Sequence, residues 1–369
     1  MAEKQRKNSQ NRAQASAVHG GEKQRGSNVS KPGNRAFYQP NSYTELVRDA
    51  AIATEAAMAQ DGHTRLEVEF PAIPGESVGY TESSDSVIDA NISHALGLAK
   101  QLGRSDYTCQ IVLPDAVELD RASERFRSAV EDVDKASLGC LSPGGIFKRI
   151  SQAVMKSSRA NQKEELALQE ARSNTDVFIV TNLSTQELPS LEAFINDIVG
   201  ANRPLISLNN ELDTLRGDLG LPAFPPKDLH YRFLCFFLPA FYLRQRTYSR
   251  TISTSPFVIS YSGALFREYP GKWQVMLKQD SGELCCVAER SERYALGEVR
   301  KELTKVMGLE GAATQERLRQ GAKSSTWWEV RNTSALLIWQ TMLLISQRVA
   351  TVLLLQDAVD VEHSRVWRD

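Results

Sequence analysis

The stretch 177–209, VFIVTNLSTQELPSLEAFINDIVGANRPLISLN, decides the fold. Val177 to Val180 is an apolar run of strand length, and Ser184 with Glu187 forms a capping box. Behind that box Leu188, Leu191, Ile195, Ile198 and Val199 recur at helical spacing, and Leu205 to Leu208 is a second apolar run. A strand that is apolar on both faces has to be covered on both faces. Strand, helix, strand in this order therefore reads as one unit of a parallel sheet.

Toward the amino terminus the alternation continues. Ser42 and Glu45 open a helix on which Tyr43, Leu46, Val47, Ala50, Ala57 and Met58 share a face, and Asp61-Gly62 ends it. Leu66, Val68 and Phe70 alternate with Glu67 and Glu69, which predicts a half-exposed strand closed by Pro71. Ile88, Ile92, Ala95, Leu96 and Ala99 mark a second helix, and Cys109 to Leu113 is a buried strand closed by Pro114-Asp115. A third helix over about 121–130 precedes a weak strand at 136–138.

After Pro226 the pattern changes. Runs at 237–248, 257–261, 264–269, 273–278 and 284–288 read as strands, with Ser262-Gly263 and Ser281-Gly282 where tight turns are expected. Leu296, Val299, Leu303, Val306 and Met307 make a closing helix. The expected fold class is α/β: a mostly parallel sheet with helices on both faces, extended by a C-terminal antiparallel meander. One domain over 37–310 holds all of it, with no internal repeat.

The rest of the chain bounds the function. With 369 residues it has length enough for a large core without staples, and five irregularly spaced cysteines argue against a disulfide framework. Lys and Arg number 44 against 45 Asp and Glu, so nothing in the overall charge points to a nucleic-acid partner. Residues 1–36 hold eight Lys/Arg and two Glu with almost no large apolar side chain, the composition of a disordered basic tail.

No glycine-rich phosphate loop, zinc-spaced His pair or nucleophile elbow is present, so no catalytic residue, cofactor or metal is assigned. His94 falls off the apolar face of its helix and reads as solvated, and Glu67 with Glu69 reads as the wet face of an edge strand.

Three features stand above this background. Asp115, Asn182, Asn209, Glu211 and Asp213 follow predicted parallel strands, where ligands bind in open α/β sheets; Asx turns and helix caps account for the same residues. Arg244, Arg246 and Arg250 alternate along one strand and share a face, with Lys227, His230 and Arg232 just upstream. They form either an anion- or partner-binding patch or an edge strand blunted with charge. In 146–159, Phe147, Ile150 and Val154 lie on one side of a short helix that also carries Lys148 and Arg149. That is a candidate for docking on a membrane or a partner, with packing onto the sheet as the alternative.

Seven segments carry a family resemblance: TRLEVEFP (64–71), IDANI (88–92), ELDTLR (211–216), FPPKDLHYRF (224–233), GALFR (263–267), WQVMLKQ (273–279) and KSSTWWE (323–329). Together they resemble a family of plastid and cyanobacterial proteins that includes the low-photosystem-II-accumulation assembly factors of chloroplasts. The domain has no assigned function and also occurs fused to some plastid adenylate kinases. The resemblance implies a non-enzymatic factor of the chloroplast stroma, loosely associated with thylakoids. Its implied task is to help the smaller chlorophyll-binding inner-antenna subunit enter photosystem II. It implies as partners that subunit, a sister assembly factor and an Albino/Oxa-type insertase. A nucleotide- or phosphometabolite-binding enzyme or regulator of the stroma is the competing reading.

The resemblance is interrupted near the carboxyl end. The run 335–355 is apolar but interrupted by Gln340, Gln347 and Arg348, a poor spanning helix because a central arginine costs roughly 2.5–3.5 kcal/mol. Its surrounding block, 330–356, reads as a possible in-frame intron product within a C-terminal tail of 311–369. A membrane anchor is the alternative.

Overall fold

Alternation of side chains along each strand sends half of them to each sheet face, so the long apolar runs can be satisfied only by helices on both sides. The computed structural model describes residues 33–71, 84–142, 173–251 and 258–309 of the chain. Ten strands, β1 (Phe37–Tyr38), β2 (Arg65–Glu69), β3 (Cys109–Asp115), β4 (Ala136–Ser142), β5 (Val177–Val180), β6 (Leu205–Leu208), β7 (Leu238–Thr251), β8 (Val258–Glu268), β9 (Trp273–Lys278) and β10 (Leu284–Arg290), form one sheet. Their order is β1-β10-β9-β8-β7-β2-β6-β5-β3-β4. From β4 to β7 neighbouring strands run parallel. From β7 to β1 they run antiparallel. The described helices are α1 (Tyr43–Asp61), α2 (Ser84–Arg104), α3 (Ala116–Arg125), α4 (Arg127–Glu131), α5 (Leu188–Phe194), α6 (Leu212–Asp218), α7 (Asp228–Arg232) and α8 (Leu296–Val306). The expected α/β sheet with its antiparallel extension is therefore the one observed.

Each face has its own core. Leu66, Val68, Ile111, Ile179, Ile206 and Phe241 point to the face covered by α1 and α2. On the opposite face, Val112, Phe178, Val180 and Leu205 pack with α5, α6 and α7. Tyr242, Leu265, Trp273 and Val275 pack there with α8. Between these two clusters, on the same face, β2 contributes no apolar side chain. It contributes Glu67 and Glu69.

That placement corrects the reading of β2 as a half-exposed edge strand. β2 lies in the middle of the sheet, paired with β6 on one side and β7 on the other, and Glu67 and Glu69 are 1% and 5% exposed. Alternation correctly separated two kinds of face, but the polar face is covered by protein rather than water. His94 is corrected in the same way: its ring stacks on Tyr43 at 4.8 Å and meets the edge of Phe70 at 5.4 Å. Burial lowers its pKa.

The runs 257–261 and 264–269 are one continuous strand, β8, with no turn at Ser262-Gly263. Glycine is present there for space. A Cβ on Gly263 would lie 2.5 Å from Leu303 Cδ1 and 2.7 Å from the Met276 carbonyl oxygen. Gly263→Ala is expected to cost roughly 1–3 kcal/mol by overpacking, read as a lowered midpoint in urea unfolding; an unchanged midpoint would show that α8 yields freely. Ser281-Gly282 does turn the chain, with Gly282 at φ 86° and its N–H donating to the Gln279 carbonyl at 2.9 Å.

Asn34 and Arg35, which the composition placed in the tail, are attached to the sheet. Arg35 donates through Nε and Nη2 to both oxygens of Glu268, itself 1% exposed, and exchanges two hydrogen bonds of 2.9 Å with the Gln274 side chain. Residues 1–32, the helix expected over 146–159 and the tail 311–369 with its block 330–356 lie outside the described residues. No described helix is long and apolar enough to cross a membrane.

Candidate functional site

The polar residues at the carboxyl ends of the parallel strands are occupied in holding the loops. Asp115 caps α3 through the Glu118 N–H at 2.9 Å. Asn91 donates to Asn182 at 2.9 Å, Asn209 donates to Asn91 at 3.0 Å, and Asn209 accepts from the Phe70 N–H at 2.8 Å. Asn182, Asn209 and Glu211 all have positive φ, a conformation asparagine tolerates and glutamate disfavours. Asn210 bridges the Leu183 N–H, the Val180 carbonyl and Ser207. Of the two readings of these residues, turns and caps describe Asp115, Asn182 and Asn209.

Glu211 and Asp213 lead elsewhere, into a seam of charge between the two apolar clusters. Asp213, on α6, accepts from Arg216 Nη1 at 2.9 Å, from Tyr242 Oη at 2.9 Å and from Arg293 Nη2. Arg293, between β10 and α8, also donates to Tyr242 Oη at 2.9 Å. Its guanidinium stacks over Tyr242 at 4.8 Å and Trp273 at 5.1 Å. Arg244 donates to Glu211 at 2.9 Å, and the Glu211 N–H reaches Glu69 at 3.3 Å. Arg216 also donates through Nη2 to the Leu234 carbonyl at 3.1 Å. Glu67 sits at the inner end, and neither of its buried oxygens has a hydrogen-bond partner among the described residues.

The electrostatics follow from this arrangement. Burial opposes ionisation of Asp213, but Arg293, Arg216 and the Tyr242 hydroxyl outweigh it and hold its pKa down to about 2. For Glu67 the balance reverses: burial outweighs Arg216 and its pKa is raised. Glu69 is pushed well up by burial and by Glu67 beside it. His230 is pressed down to about 4 by burial and by Arg216. Perturbed groups of this kind collect at functional sites and in structural ion networks alike.

The six cationic candidates named from sequence do not form one patch. Arg244 belongs to the seam. His230 is buried on α7 against Arg216, while Lys227 is exposed. Arg232 grips both oxygens of Glu192 at 2.8 and 2.7 Å and also pairs with Asp228. Arg246 is exposed on β7, and Arg250, four residues on, is only 9% exposed. Alternation puts Arg244, Arg246 and Arg250 on one face as expected, but that face is covered unevenly along its length. The docking-helix candidates Phe147, Lys148, Arg149, Ile150 and Val154 lie outside the described residues.

Sequence reasoning missed Arg293, Arg216 and Tyr242 as members of one cluster. Tyr242 carried a signal, its hydroxyl lying within the apolar run 238–243, whereas Arg216 stands among Asp213, Thr214, Gly217 and Asp218 and carried none. Arg293 lies in a short polar connection and carried none. Among the described residues no group of three or more His, Cys, Asp and Glu can hold a metal ion, and all five cysteines are free thiols.

Residues 40–301, well over half of the chain, match a family model described as a domain of unknown function, DUF1995. No curated protein matches the chain.

Proposed function

The chain belongs to this DUF1995 family, and from that premise we propose that it is a non-enzymatic assembly factor of photosystem II, related to the third of the chloroplast low-photosystem-II-accumulation factors. In this reading it works in the chloroplast stroma, loosely held at the thylakoid. It helps the smaller inner-antenna subunit into the complex together with a sister factor and an Albino/Oxa-type insertase.

One observation carries the reading. Segments scattered over more than 200 positions bear the resemblance, and four of them meet at the seam: Glu67 and Glu69 from 64–71, Glu211 to Arg216 from 211–216, His230 from 224–233, and Trp273 from 273–279. A resemblance that converges on one network in space belongs to the whole domain. It is more than a run of similar strands. The charges of that network are largely spent on one another, whereas Arg246 stands on the exposed surface of β7, where a partner can reach it.

A second reading, the binding of a nucleotide or phosphometabolite, gains from the same geometry, because Arg244 joins the Asn-Asn-Glu-Leu-Asp segment through Glu211. Pulse-labelling of thylakoid proteins in a strain lacking the chain separates the two. The expected result is that the smaller inner-antenna subunit is synthesised but fails to appear in photosystem II on native gels. Normal assembly would overturn the assembly role and leave the ligand reading.

A further inference from the structure

The seam contains more carboxylates than its geometry can ionise together. Glu67 faces Arg216 and Asp213 from α6, Tyr242 and Arg244 from β7, Arg293 from the segment before α8, and Glu69 two residues along its own strand. His230 on α7 faces Arg216 and Asp213, and Glu211 faces Glu69. Asp213 already takes a hydrogen bond from each of Arg216, Arg293 and Tyr242. Among the described residues Glu67 takes none, although it is 1% exposed. A buried polar group left without partners is uncommon and calls for a specific cause.

These contacts also join separate parts of the chain. Asp213 and Arg216 stand on α6, in the cluster with α5 and α7, whereas Arg293 and Trp273 belong to the side of the sheet covered by α8. The Asp213–Arg293 pair is therefore a fastening between the two halves of that face.

We propose that the seam is a proton-operated latch. With Glu67 protonated, Asp213 keeps Arg216, Arg293 and Tyr242 and fastens α6 to the segment before α8. When Glu67 loses its proton, two carboxylates compete for the same guanidinium groups and the fastening loosens. The direction is set by linkage. A carboxyl whose pKa is raised in the folded state binds its proton more tightly there than in the unfolded chain. Stability then falls as pH climbs from the ordinary carboxylate value through the raised one. His230 acts oppositely: held at about 4, it lowers stability only as pH falls below its ordinary 6.5. From the ordinary carboxylate range at about pH 5 up to pH 8.5 Asp213 stays ionised and His230 changes stability in the opposite sense, so a loss of protection with rising pH in the seam reports the glutamates.

The experiment is amide hydrogen exchange on the full chain across that window, corrected for intrinsic rates, following 212–218 and 290–294. In the wild type, protection of both segments is expected to fall at least tenfold as pH rises. In Glu67→Gln, which cannot ionise, the fall is expected to be at most half that of the wild type, with Glu69, itself buried and pushed well up, supplying the rest. If the glutamine variant does not fold, Glu67→Met carries the same expectation. Protection independent of pH in the wild type overturns the latch, and so does an equal loss in the folded variant. None of these outcomes depends on a role in photosynthesis, so the latch and the assembly reading fail separately.

Discussion

Asp213→Ala is expected to destabilise the fold by about 3–5 kcal/mol, the usual result of removing one partner from a buried ion pair. Asp213 is the common acceptor for Arg216, Arg293 and Tyr242, and the Arg216 side chain is only 6% exposed. Removing the carboxylate leaves one guanidinium deep in the protein beside another that is only a quarter exposed. Those charges cannot neutralise themselves, since arginine stays protonated at any ordinary pH. Asp213→Asn is expected to fall between wild type and alanine, because one amide oxygen still accepts but carries no charge. Urea unfolding of the three proteins measures this. A loss below about 1 kcal/mol in the alanine variant would place the arginines in water and remove the case for a buried network.

Cutting the amino terminus is expected to separate two segments that look alike in composition. A chain lacking 1–32 should unfold at the same urea concentration as the full chain, to within about 0.5 kcal/mol. One lacking 1–36 should lose about 3–5 kcal/mol, because it removes Arg35 and leaves Glu268 buried and unpaired. Arg35→Ala in the full chain should reproduce most of that loss. Asn34 adds to the same attachment: its side chain donates to Glu289 at 2.8 Å and accepts from the Lys272 N–H. Equal stability of the two truncated chains would mean that the segment is carried by the sheet without supporting it.

Both results turn on charged residues that local pattern assigns to water. Arg35 sits at the end of a stretch rich in Asn, Ser, Gln and Lys, and nothing nearby in sequence announces that it meets Glu268, 233 residues away. Glu67 and Glu69 alternate with Leu66, Val68 and Phe70 in the manner of an edge strand. The alternation itself is correct, with the apolar three pointing to the α1 and α2 face. What alternation does not reveal is which strands flank β2. β7 returns from far downstream to pair with it in parallel, Leu66 opposite Leu238, and that pairing moves the polar face from solvent into the protein. Local desolvation then decides the chemistry, since a carboxylate in water and one under α6 differ in every electrostatic respect.

The candidate cations show the same division. Sequence periodicity puts Arg244, Arg246 and Arg250 on one side of β7, and they are there. Their separate fates, Arg244 paired with Glu211, Arg246 exposed and Arg250 buried, depend on what folding brings beside each.

Local sequence is enough to specify the elements and their class. The apolar runs of β3, β5 and β6, the capping boxes and the helical periodicities are local properties, set by steric preference and by how often a side chain must face away from water. Long-range packing makes β2 central, sets Leu303 against Gly263, and brings Asp213, Arg216, Tyr242, Arg244 and Arg293 into one network. Those facts depend on pairings between residues far apart in the chain. Whether a charge is solvated or buried is fixed by the neighbours that folding brings to it, and no local pattern contains them.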